Sequence, residues 1–102
     1  DDELAIRILR LVLRVFPDHE RVLADQGMYL ERLWRLEEAA QMYRRSLHYA
    51  ENDDVREVLG MLEFKRQRFS AAAREMAKLS GTDERLACNA YLSATHASLW
   101  NL

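Results

Sequence analysis

An all-α fold of antiparallel helix pairs is what this sequence predicts, on three observations. Punctuation is scarce: 102 residues hold 3 Gly and 1 Pro, little material for the tight turns of a β protein. Leu, Ala, Arg and Glu, the stronger helix formers, make up much of the rest. Small and large residues also recur at a fixed spacing, with Gly27 and Gly60 lying 33 residues apart. At 49% hydrophobic and 31% charged, the chain has the composition of one globular domain spanning residues 1–102, which excludes disordered and collagen-like classes.

The first helix is predicted over Leu4 to Phe16. Its apolar residues cover most of the circumference, and Arg7, Arg10 and Arg14 form one polar stripe, so it expects neighbours on two sides. Pro17 ends it, and Asp18 is the expected N-cap of a second helix from about His19 to Leu33, with Val22, Leu23, Tyr29, Leu30 and Leu33 inward. Trp34 to Leu36 reads as a short break. The third helix runs from Glu37 to Tyr49, with Ala39, Ala40, Tyr43 and Leu47 inward and Met42 as a further candidate. Asn52, Asp53 and Asp54 form a polar turn with capping capacity, followed by a fourth helix from Val55 to Gln67. Ser70 is the expected cap of a fifth helix reaching Leu79. Ser80, Gly81 and Thr82 make the clearest loop, because Gly81 can take the left-handed conformation that stops a helix. A sixth helix is predicted from Asp83 to about Leu99.

The recurrence is wider than the two glycines. Each is followed twelve residues later by an alanine, Ala39 or Ala72, with Leu36 or Phe69 three residues before that alanine and Tyr43 or Met76 four after it. The first helix fits the second half of the same unit, since Ala5 is followed by Leu9 four residues on and by Pro17 twelve on. Such a pattern suits close helix crossings, where one backbone needs a small residue and the next turn needs a large one. A mid-helix glycine costs roughly 1 kcal/mol, so two in register point to space demanded by a neighbouring helix.

On these residues, Leu23, Gln26, Gly27, Leu30, Ala39 and Tyr43, then Arg56, Leu59, Gly60, Glu63, Ala72 and Met76, the chain resembles the tetratricopeptide repeat family. It departs from the family pattern in having Leu23 and Arg56 for the usual tryptophan, Gln26 for leucine and Glu63 for an aromatic residue, and in having no proline to close the second and third units. The resemblance implies an α-solenoid, helix pairs stacked in a right-handed superhelix. Residues 1–19 would be the second helix of a partial repeat, 20–52 and 53–82 two full repeats, and 83–102 a final or capping helix. A first helix with two apolar flanks suggests an array continuing before Asp1, or a surface that meets another copy of the chain or a dedicated partner.

Net charge of -2 provides no basic field for nucleic acid, and no apolar run approaches the roughly 20 residues that span a bilayer, so neither nucleic-acid binding nor membrane insertion is expected. The single cysteine, Cys88, cannot form an internal disulfide and leaves cytoplasm and periplasm both open. His19, His48 and His96 are scattered without a second ligand at metal spacing, and no phosphate loop or nucleophile elbow occurs. The expectation is no metal, no cofactor and no catalysis.

By the same resemblance, the first helix of each pair lines a concave surface. Carried over by position, that surface takes in Met28, Glu31 and Arg32, then Glu57, Met61, Phe64 and Lys65, with Tyr91 on the last helix. Flexible thioethers beside aromatic rings suit an amphipathic helix or an extended peptide better than a small polar ligand. The carboxylate-clamp members of the family use Lys and Asn where this chain has Ala24, Met28, Glu57 and Met61, so a clamp is not expected. The functional reading is a protein-interaction scaffold, a segment of a longer repeat protein in a bacterial-type assembly or export machine such as polysaccharide secretion. One alternative is a small stand-alone chaperone resembling those of type III secretion. Another is a regulatory helical domain attached to an enzyme.

Overall fold

The computed structural model describes residues 1–79. Among them all regular structure is helical: α1 (Asp2–Val15), α2 (Glu20–Arg32), α3 (Leu36–Tyr49), α4 (Asp53–Lys65) and α5 (Phe69–Met76), with no strand. They belong to two compact units, Asp1–Val55 and the residues from Arg56 onward. The predicted loop at Ser80 to Thr82, the sixth helix and Tyr91 lie outside the described residues.

In the first unit the Asp1 carboxylate caps α1, accepting from the Glu3 amide at 2.8 Å and the Leu4 amide at 3.4 Å. Helix α2 returns antiparallel to α1, which brings Arg32 to 3.4 Å from Asp2 and Arg35 to 3.6 Å from Glu3. The cap of α2 differs from expectation. His19 takes that place, its Nδ1 accepting from the Val22 amide at 3.4 Å, while Asp18 lies one residue too early. Helix α3 packs back on α2, and Ile6, Leu23, Leu30, Ala39, Ala40 and Tyr43 are buried. Val22, Tyr29, Leu33, Met42 and Leu47, expected inward, are half-buried.

The α2–α3 turn is a Schellman closure. The Trp34 amide donates to the Glu31 carbonyl and the Arg35 amide to the Leu30 carbonyl, both at 2.9 Å. It requires a left-handed residue, and Trp34 supplies it with φ 61°, a conformation that costs a side-chain-bearing residue about 1–2 kcal/mol.

Helix α4 begins at Asp53, two residues before the expected start. Asn52 Oδ1 accepts from the Asp54 amide at 2.9 Å and the Val55 amide at 3.3 Å, which draws the acidic pair into the first turn. In the second unit α4 and α5 are joined by the same turn as α2 and α3. Gln67 has φ 61°, its amide donates to the Phe64 carbonyl, and the Arg68 amide donates to the Glu63 carbonyl, again both at 2.9 Å. Ser70 is not the cap of α5. The helix already starts at Phe69 with Arg68 in the cap position, without a side-chain cap bond, because the turn sets its first residue. It ends at Met76 rather than Leu79, although Leu79 is buried. Leu59, Leu62, Ala72 and Met76 complete the apolar core of this hairpin.

Candidate protein-interaction site

Each hairpin is held by a glycine set against a large side chain. A Cβ on Gly27 would lie 2.7 Å from Cε1 and 2.8 Å from Cδ1 of Tyr43. One on Gly60 would meet the Met76 side chain at 3.1–3.3 Å. Gly27 and Gly60, Tyr43 and Met76, and Trp34 and Gln67 each stand 33 residues apart, so the spacing seen in the sequence is the spacing of equivalent contacts and turns.

The Tyr43 hydroxyl donates to Glu31 Oε1 at 3.0 Å. Burial, followed by the adjacent Glu31 charge and that hydrogen bond, pushes the phenol well above the usual tyrosine range, so it stays a neutral donor where an exposed tyrosine would ionise. Glu31, expected on the partner-binding face, thus also holds the ring that fills the Gly27 crossing. Arg32 is engaged too, by Asp2 and by the Tyr29 ring, whose centroid is 5.8 Å from the guanidinium carbon. Of the residues expected on α2, Met28 is the apolar one left to solvent, 42% exposed.

On α4 the expected residues divide in a similar way. Met61 is 41% exposed, nearly the value of Met28 at the equivalent position, and Glu57 and Lys65 are exposed. Phe64 is half-buried, edge-on to Phe69 with centroids 5.4 Å apart, so part of its apolar surface is used within the hairpin. Ala24, where the carboxylate-clamp members carry a polar side chain, lines a cleft of about 390 Å³ with Arg21, Asp25 and Asn52.

The sequence reading did not anticipate how α4 uses its charges. Arg56 and Glu63 are buried at positions equivalent to Leu23 and Leu30. Arg56 Nη1 lies 2.8 Å from Glu75 Oε2, Arg66 Nη1 2.9 Å from Glu63 Oε1, and Arg68 Nε 3.4 Å from Glu63 Oε2. The signal was present: charged residues seven apart on one helix face, at repeat positions that otherwise carry leucine, need opposite charges nearby, and Glu75, Arg66 and Arg68 supply them. Ser46 is likewise buried by donating its Oγ to the Glu20 carbonyl at 2.7 Å.

Among the described residues no group of three His, Cys, Asp or Glu is placed to hold a metal ion, and no helix is long and apolar enough to cross a membrane. No protein-family model matches the chain, and the search of curated proteins finds none that matches it.

Proposed function

We infer that this chain is a protein-interaction scaffold of the tetratricopeptide-like class. The observation that carries this reading is the pair of equivalent methionines, Met28 and Met61, exposed on the first helix of two hairpins that share one turn geometry and one glycine crossing. Stacking of such hairpins in a right-handed superhelix would give both methionines to one concave face. Unbranched thioethers repack around different apolar side chains, and an amphipathic helix or extended peptide is the occupant such a floor suits. Glu57 and Lys65 would border it as polar rim. This binding role involves no cofactor and no catalysis. A place in a bacterial-type assembly or export machine, or a chaperone role toward one helical partner, follows from analogy with the family it resembles.

The test is photo-crosslinking. A benzophenone side chain replacing Met28, and separately one replacing Met61, is expected to join the chain to the same protein in cells that express it. Met61→Glu should abolish the crosslink formed at position 28 without loss of helicity by circular dichroism. Phe64 is left intact, because its contact with Phe69 would confuse lost binding with lost packing. No shared partner, or a crosslink indifferent to Met61→Glu, would contradict the reading.

A further inference from the structure

The outer face of α1 carries a second apolar surface, separate from the two methionines. Leu4, Ile8, Leu11 and Val15 are 52% to 69% exposed and are spaced four, three and four residues apart, which aligns them in a single stripe. Packing within the first unit does not use them, since Ile6 is the residue that α1 buries.

Helical-repeat geometry does not demand the stripe either. With Ala5 matched to Ala39 and Leu9 to Tyr43, the four residues correspond to Glu38, Met42, Arg45 and Tyr49 of α3. There Glu38 pairs with Arg35 at 2.8 Å, and Arg45 reaches the Pro17 carbonyl at 3.5 Å. On α3 two of the four residues are charged and hydrogen-bonded and Met42 is half-buried, whereas on α1 all four are apolar and more than half exposed.

Charge decides what fits it. Arg7 and Arg14, seven residues apart, border one side of the stripe and are exposed, and neither has an ion-pair partner among the described residues. The charges further round the helix are already matched, Glu3 to Arg35 at 3.6 Å and Arg10 to Glu38 at 4.0 Å. A second copy of this chain complements the face poorly. Antiparallel pairing of two α1 stripes sets Arg7 against Arg14 of the other copy, and parallel pairing sets the arginines beside Val12.

We propose that α1 docks an amphipathic helix about 11 residues long, roughly 16 Å, with an apolar seam and a flank of Asp or Glu that meets Arg7 and Arg14. This surface is distinct from the methionine face, and either can fail without the other.

The test uses the whole chain and two synthetic peptides sharing one Leu/Ile seam, one flanked by Glu and the other by Lys, followed by fluorescence anisotropy. The Glu-flanked peptide is expected to bind with one-to-one stoichiometry and about tenfold tighter than the Lys-flanked one, a preference that shrinks as salt is raised. Ile8→Glu with Leu11→Glu should abolish binding of both. Arg7→Glu with Arg14→Glu should reverse the preference, a gain of Lys-peptide binding that misfolding cannot imitate. Equal affinity for the two peptides, or binding lost on Met28→Glu with Met61→Glu instead, would overturn the proposal. So would a dimer in sedimentation equilibrium that Ile8→Glu with Leu11→Glu dissociates.

Discussion

Gly27→Ala is expected to destabilise the protein by about 1–2 kcal/mol, whereas Gly60→Ala should stay within about 0.5 kcal/mol of the parent. Both changes recover roughly 1 kcal/mol of helix propensity, so the difference must come from the facing side chain. At Gly27 the new methyl meets the Tyr43 ring at 2.7 Å, and that ring is buried and tied at its hydroxyl to Glu31. At Gly60 it meets the Met76 chain at no less than 3.1 Å, and an unbranched side chain with three rotatable bonds can yield a few tenths of an ångström. Gly60→Leu exceeds what Met76 can absorb and should cost about 1–3 kcal/mol. Urea denaturation of the three variants measures this. Equal losses for the two alanine variants would mean that the crossings are not set by Tyr43 and Met76.

Glu63→Ala should be the more damaging change, about 3 kcal/mol, because it leaves a void in a buried site and strands the Arg66 guanidinium. Glu63→Leu with Arg66→Leu, which removes both partners of the pair, is expected to cost less than about 1 kcal/mol. Leu30 and Leu33 occupy the equivalent positions in the first hairpin, and a buried ion pair replaced as a pair by well-packed apolar side chains is often neutral. Arg68 is already half exposed and can turn to solvent when its carboxylate is removed. Denaturation midpoints of the two variants decide between the cases. If Glu63→Leu with Arg66→Leu is as harmful as Glu63→Ala, the ion pair itself holds the α4–α5 turn, and the charges are more than a substitute for leucine.

The helices were legible because their signals are local. Apolar periodicity placed α1 to α5 to within a few residues, and the glycine-to-alanine spacing found the two crossings before any contact was visible. The turns were harder. A left-handed residue is normally announced by glycine, and here Trp34 and Gln67 fill that role, so the break after Leu33 could be located but its geometry could not be read. Capping failed where one residue decides: Asp18 and Ser70 have suitable side chains, but chain direction gives the positions to His19 and Arg68. Of the expected partner face the sequence names only positions, and their exposure and contacts differ. Glu31, Arg32 and Phe64 have contacts within their own unit, while Met28 and Met61 present exposed thioethers. The buried Arg56 and Glu63 broke the repeat pattern in plain view, but which charges answer them depends on α5 folding back, information no local window contains.

If the hairpins are successive units of one array, as proposed, Met28 and Met61 should share a face. A nitroxide on Met28→Cys, in a Cys88→Ala background, measures this through paramagnetic broadening of backbone amide signals. Broadening is predicted at Glu57, Met61 and Phe64 on α4 as well as within the label's own hairpin. Sharp α4 signals beside broadened α2 signals would contradict a shared face, and the scaffold reading with it.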